Sequence, residues 1–194
     1  AGLSAAAKGL AVAVAATDTP VVVVVPTDGD VEQMVADTRF FWGSLTGATT
    51  HELRHQVVPF PSHEVDPYRG LTPHFDVVAA RGRALHGLAA RTARVVVAAA
   101  TALLPRLSAP DRLLVAGARL MTGALLDPPD LGDLLADAGF TPEDPVDAHG
   151  EFCVRGGVVD FFPAGDEQPI RAEFAGDSLE SLRCFDPATQ RSTK

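Results

Sequence analysis

The sequence contains one pentapeptide with the spacing of a catalytic metal site, HELRH at residues 51–55. In the HExxH pattern, two histidines one helical turn apart bind zinc, and the glutamate acts as a general base. This chemistry requires a helix, whereas the flanking residues TGATT and QVVP favour a loop and a strand. On a strand, His51 and His55 would lie about 13 Å apart, too far to share one ion. We therefore expect a solvated loop or sheet edge and no metal, with a zinc hydrolase as the rival hypothesis.

A second chemically suggestive pattern opens the chain, where residues 2–9 read GLSAAAKG. Compared with the phosphate-binding pattern GxxxxGK[ST], Gly2 and Lys8 match, but Ala7 replaces the second glycine and Gly9 replaces the Ser/Thr. The missing glycine would let backbone amides surround the phosphates, and the missing hydroxyl would bind magnesium. We interpret the segment as a degenerate P-loop that does not bind ATP. No catalytic residue and no cofactor are predicted.

The elements around these patterns indicate a parallel α/β domain in the first part of the chain. Apolar strands are predicted at residues 21–25, 56–60 and 94–99, alternating with helices at 4–16, 30–41 and 74–89 and a short helix from Thr101. The run Val21–Val25 is apolar at every position, which is typical of a strand buried on both faces. A loop at 61–73 contains three prolines and the only tyrosine, Tyr68.

The sequence pattern changes after residue 113. A helix is predicted at 130–138, followed by short strands at 151–155, 158–162, 170–174 and 178–185 with glycine and proline turns between them. This pattern predicts a smaller α+β domain with an antiparallel sheet, so we divide the chain into domains 1–113 and 114–194.

The strand at 170–174 has a polar and an apolar side. Because alternate residues share a face, Ile170, Ala172 and Phe174 are expected in the core. The other face, with Arg171, Glu173 and Ala175, is expected to point to solvent.

Composition argues against several classes of protein. The net charge is −9, whereas nonspecific DNA binding needs a basic face that displaces counterions. The two cysteines, Cys153 and Cys184, are too few for a disulfide framework and fit a reduced cytoplasmic protein. No apolar run is long enough to cross a membrane. The chain starts at Ala1 without a methionine, and we expect it to be a fragment of a longer protein.

Three stretches of the second domain carry a family resemblance. They read GEFCVRGGVVDFFP at 150–163, PIRAEF at 169–174 and DSLESLRCFDP at 177–187, with QR at 190–191. This pattern resembles the second domain shared by UvrB and the bacterial transcription-repair coupling factors, and upstream segments agree over nearly the whole chain. The resemblance implies a degenerate helicase-like domain, similar to domain 1a of UvrB, followed by a domain similar to UvrB domain 2. Because UvrB keeps an intact P-loop and a long tyrosine-rich hairpin, the coupling factors match better.

The resemblance implies recruitment of the repair protein UvrA in transcription-coupled nucleotide excision repair, without ATP hydrolysis by this fragment. In this family the second domain binds UvrA through an arginine-centred surface. The matching positions are Arg155 and Arg171, with Glu173 and Ala175 beside them, and Ala175 departs from the aromatic residue common at its position. Contacts with RNA polymerase, and ATP-driven movement on DNA, would belong to other domains of the parent protein. The alternatives are a UvrB fragment, and a structural domain whose arginines only pair with neighbouring acids such as Glu173.

Overall fold

The computed structural model describes residues 2–63, 65, 73–107, 109–116, 119–164 and 166–193. The chain divides into two compact units, Ala1–Gly117 and Ala118–Lys194, a few residues beyond the boundary predicted at residue 114. The loop expected at 61–73 lies largely outside the described residues, and Tyr68 is among those not described.

The described part of the first unit is an α/β domain with a three-stranded parallel sheet in the order β1-β3-β2. Its parallel α/β organisation confirms the prediction. In chain order the elements are α1 (Ala5–Asp18), β1 (Val21–Val25), α2 (Asp28–Thr46), α3 (Thr50–Gln56), β2 (Val57–Phe60), α4 (Phe75–Ala89), β3 (Val95–Ala99), a 3-10 turn at Ala100–Leu103, and α5 (Pro110–Ala116).

The strands of this sheet differ in how deeply they are buried. The central strand β3 is buried at all five residues. Strand β1 lies at an edge, and its Val22 and Val24 are 54% and 52% exposed. The prediction that β1 is buried on both faces is therefore wrong: alternate residues share a face, and the face that carries Val22 and Val24 is left largely uncovered.

Helix α1 packs closely against α2. Its alanine-rich sequence favours a helix, and the Ser4 hydroxyl caps it by accepting the Ala7 N–H at 3.3 Å. Gly9 is buried at the contact, and a Cβ added there would lie 2.7 Å from the Cβ of Asp37 in α2. A side chain at residue 9 would therefore force the two helices apart.

The described residues of the second unit form an α+β domain around a six-stranded sheet, in the order β4-β5-β6-β7-β8-β9. Strands β4 and β5 are parallel, and the other neighbours are antiparallel. The predicted helix and strands are present, while the two-residue strands β4 and β9 were not predicted. The elements are α6 (Pro128–Asp137), β4 (Thr141–Pro142), β5 (Glu151–Arg155), β6 (Val158–Phe161), β7 (Ile170–Ala175), β8 (Ser178–Asp186) and β9 (Arg191–Ser192).

The two faces of this sheet have different surroundings. Helix α6 covers one face, where Leu131 and Leu135 pack with Phe152, Val159 and Ala172 in the main core of the unit. A smaller apolar cluster formed by Val146, Phe162 and Phe185 is separate from this core. Among the described residues, no helix combines the length and apolar character needed to span a bilayer.

Candidate functional site

The face of the second sheet opposite α6 carries two rows of mainly polar residues, here called the polar face. The first row runs across β5 to β8 at paired positions. On each strand, the residue of the second row is two positions away from that of the first. Alternate residues of a strand share a face, so both rows point the same way. The rows are Cys153, Asp160, Arg171 and Arg183, and then Arg155, Val158, Glu173 and Ser181.

Asp160 lies at the centre of the polar face and has no exposed surface. Its Oδ1 accepts from Nε of Arg171 at 2.7 Å, and its Oδ2 accepts from Nη2 of Arg171 at 2.8 Å. The same Oδ2 accepts from Nη2 of Arg155 at 2.6 Å. One buried carboxylate thus joins the two arginines singled out from the sequence. A buried charge is stable only when it is paired and hydrogen-bonded in this way.

Arg171 is mostly buried, with 18% of its side chain exposed. Its guanidinium carbon lies 4.7 Å from the centre of the Phe185 ring, and Nη1 donates to the Gln190 carbonyl at 3.3 Å. Hydrogen bonding to Asp160 raises the pKa of Arg171. The prediction that Arg171 points freely to solvent is wrong, because residues of and after β8 pack over it.

The other side of β7 agrees with its predicted alternation. Ala172 is fully buried, and Ile170 and Phe174 pack against the main core of the unit. The acid that pairs with Arg171 is Asp160, not Glu173. The alternation therefore predicts the core residues correctly but gives no information on what covers the opposite face.

Arg155 is the more accessible of the two arginines, with 44% of its side chain exposed. Its Nη1 donates to Oδ1 of Asp144 at 3.1 Å, and the Asp144 side chain is 55% exposed. Arg155 therefore has one nitrogen bound to a buried acid and another bound to an acid at the surface.

The rim of the polar face continues along β7 and β8. The Glu173 carboxylate accepts from the Ser181 hydroxyl at 2.5 Å and lies 3.9 Å from Nη2 of Arg183. Arg183 is 57% exposed and Glu173 is 38% exposed, and Ala175 is exposed at the end of β7. The rim thus presents charges of both signs to solvent.

Sequence reasoning missed Asp144, Asp160 and Arg183 as parts of this site. The sequence does contain a signal for Asp160, a single acid between the apolar pairs of VVDFF. A charge inside such a short apolar strand needs a partner. Nothing in the sequence pairs Asp144 with Arg155, since that contact depends on the path of the chain between β4 and β5.

The residues of the predicted degenerate P-loop have structural roles in the described part of the chain. Gly2 precedes α1, Ala7 receives the Ser4 cap, and Lys8 is exposed on α1. Gly9 allows the close contact with α2. The close packing accounts for glycine at residue 9, the structure does not explain the alanine at residue 7, and a P-loop origin stays a prediction.

The HELRH segment forms helix α3, so the prediction of a loop or sheet edge is wrong. Gly47 ends α2 at a φ of 71°. Thr49 and Glu52 then start α3 with a reciprocal capping box: the Thr49 N–H donates to Glu52 at 2.8 Å, and the Glu52 N–H donates to the Thr49 hydroxyl at 3.3 Å. These caps outweigh the poor helix propensity of the preceding residues.

The helix brings the His51 and His55 rings to 4.7 Å between centroids. The described residues nevertheless contain no group of three or more His, Cys, Asp or Glu side chains arranged to hold a metal ion. The backbone hydrogen bond from Thr49 lowers the pKa of Glu52 and keeps its carboxylate at the start of the helix. The described contacts thus give Glu52 a capping role, and they provide no support for a zinc hydrolase.

Comparison with known proteins gives a family for this arrangement. Residues 118–194 match the model of the UvrB interaction domain. The chain is 32% identical, over 98% of its length, to 16% of the transcription-repair-coupling factor of Myxococcus xanthus. It is 35% identical, over 66% of its length, to 11% of that of Escherichia coli K12. It is 36% identical, over 48% of its length, to 14% of UvrABC system protein B of Mannheimia succiniciproducens. The chain thus spans at most 16% of these relatives.

Proposed function

We propose that the chain recruits UvrA in transcription-coupled nucleotide excision repair. Its similarity to the transcription-repair coupling factors and the match of its second unit to the UvrB interaction domain support this proposal. The observation that carries the proposal is the arginine pair joined by Asp160 on the polar face. A guanidinium held in place on one side has less conformational freedom to lose on binding, and its planar fork suits a carboxylate of the partner.

The charge distribution supports an arginine-centred contact. Residues 118–194 contain more than twice as many acidic as basic side chains, yet Arg155, Arg171 and Arg183 all lie on the polar face. Basic groups gathered on one face of an acidic unit provide a local site for acidic side chains.

We assign the proposed site residues different roles in the contact. Arg155, Glu173 and Ala175 have exposed atoms that can touch the partner directly. Arg171 acts mainly as a positioning residue, because its bidentate bond holds the Asp160 carboxylate that anchors Arg155. The absence of an aromatic side chain at Ala175 leaves the arginine as the main anchor.

A titration with purified UvrA tests the proposal. We expect Arg155→Ala to weaken binding by about 2 kcal/mol, or about 30-fold in Kd, as for an interface hot spot. The double change Arg155→Ala plus Arg171→Ala should lose at least as much, provided that thermal unfolding shows it to be folded. Arg119→Ala, which removes an exposed arginine elsewhere in the unit, is the matched control. Binding that is unchanged by Arg155→Ala would remove this residue from the site.

We assign no ATP hydrolysis to this chain. The contacts with RNA polymerase and DNA, and the ATP-dependent translocation proposed for the parent protein, belong to parts of it outside this chain. A fragment of UvrB is the second candidate, favoured by the 36% identity over 95 residues to a UvrB relative. That candidate requires the chain to bind ATP.

A further inference from the structure

We propose that Asp144 is an internal competitor for Arg155: in the free protein it occupies the place that a carboxylate of the partner takes on binding. The inference rests on the proposed function, since it concerns how the polar face accepts its partner. It adds a residue that determines the strength of binding without being part of the contact itself.

The two terminal nitrogens of Arg155 have different neighbours. Nη2 donates to Asp160 at 2.6 Å, and solvent does not reach the fully buried Asp160 carboxylate. Nη1 donates to Asp144 at the longer distance of 3.1 Å, and the Asp144 side chain is 55% exposed. Only the Nη1 side of the guanidinium can exchange one acid for another without opening the core of the unit.

The ion pair of Arg155 with Asp160 is also expected to be stronger than its ion pair with Asp144. Removing one partner of a buried ion pair leaves an unpaired charge in a poorly solvated place, which strongly destabilises a protein. An exposed pair contributes little, because water and salt compensate for most of its loss. The Arg155–Asp144 pair is therefore weak enough to exchange, while the Arg155–Asp160 pair keeps the guanidinium in place during the exchange.

Asp144 loses little when Arg155 is released from it, because its side chain is 55% exposed to water. Burial and then the negative charge of Asp144 raise the pKa of the Cys153 thiol, which is next to Arg155 in the rows of the polar face. Displacement therefore leaves the carboxylate at the surface in contact with solvent. Because Asp160 already orients Arg155, Asp144 is not needed as a second positioning residue.

The test is a UvrA titration of the whole chain carrying Asp144→Asn. The change keeps the shape of the side chain and removes its charge, so Arg155 is held less strongly and should bind the partner about threefold more tightly, within the range of exposed ion pairs. Asp133→Asn is the matched control, because it removes the same charge from an exposed position of α6. It should leave Kd unchanged.

A third variant shows whether the gain in affinity for UvrA depends on Arg155. In an Arg155→Ala background, Asp144→Asn should no longer improve binding. A gain that persists there, or an equal gain from Asp133→Asn, would indicate a general effect of charge and overturn the proposal. Equal or weaker binding by Asp144→Asn, with normal binding by the wild type, would also overturn it. If the wild type itself does not bind UvrA, the proposed function fails first.

Discussion

Asp160 is the residue on which the polar face depends. Its carboxylate is fully buried, and both of its oxygens accept hydrogen bonds from arginines, Arg171 at 2.7 and 2.8 Å and Arg155 at 2.6 Å. Arg171 is itself mostly buried, over the Phe185 ring. Neutralising this acid would leave a guanidinium in a poorly solvated place without its counter-charge, which is costly.

Asp160→Asn should therefore lower the free energy of unfolding by about 3 kcal/mol, the size seen when one member of a buried ion pair is removed. Urea denaturation followed by circular dichroism measures this loss. Asp133→Asn, an exposed acid on α6, should change stability by no more than about 0.5 kcal/mol. A loss below about 1 kcal/mol for Asp160→Asn would show that the network contributes little to the fold.

The sequence predicts single residues of the site only in part. Arg155 and Arg171 follow from the family motif, and the core side of β7 follows from strand alternation. The burial of Arg171 does not follow, because it depends on Phe185 and Gln190, which lie in later parts of the chain. The link through Asp160 depends on the register of β5, β6 and β7, which only the folded sheet defines.

Among the elements, the contact between α1 and α2 explains Gly9, which in the sequence takes the place of the Ser/Thr of the phosphate-binding pattern. Gly9 is buried on α1, and the Cβ of another residue there would lie 2.7 Å from the Cβ of Asp37. Both atoms of this contact are Cβ atoms bonded to the backbone, so neither can move away by rotation of a side chain. Packing between the helices therefore limits residue 9 to glycine.

Gly9→Ala should destabilise the chain by about 1–3 kcal/mol, as overpacking does in a close contact, despite the better helix propensity of alanine. Gly82→Ala in α4 is the matched control, since no described atom lies within 4 Å of the added Cβ. It should be neutral or raise stability by up to about 1 kcal/mol. Thermal and urea unfolding of the two variants compare them directly. Equal stabilisation by both would show that α1 can move away from α2 at no cost.

Most helices and strands of this chain can be predicted from local sequence, and a few cannot. Helix α6 is predicted at 130–138 from its pattern and the following Gly139, and it lies at Pro128–Asp137, beginning two residues earlier than predicted. Helix α3 is missed because the capping box of Thr49 and Glu52 overrides a weak local propensity. The exposure of Val22 and Val24 in β1 depends on what packs over that face of the sheet, which no local pattern contains.

Over the whole molecule, charge is divided unequally between the two units. Residues 1–117 contain equal numbers of acidic and basic side chains, so the net charge of −9 lies in residues 118–194. An acidic unit repels the phosphates of DNA. This distribution agrees with a protein partner for the polar face, and it gives no support to a chain that binds DNA as a UvrB fragment would.

Nucleotide binding by the whole chain distinguishes UvrA recruitment from the alternative of a UvrB fragment. We expect no binding of a fluorescent ATP analogue at micromolar concentration, because Ala7 and Gly9 lack the glycine and hydroxyl that hold phosphate and magnesium. Gly9 is also buried against α2, so a hydroxyl-bearing residue would not fit there without moving the helix. Intact UvrB is the positive control in the same titration. Micromolar binding that requires magnesium would favour a UvrB fragment and would contradict the assignment of a recruiting role without ATP.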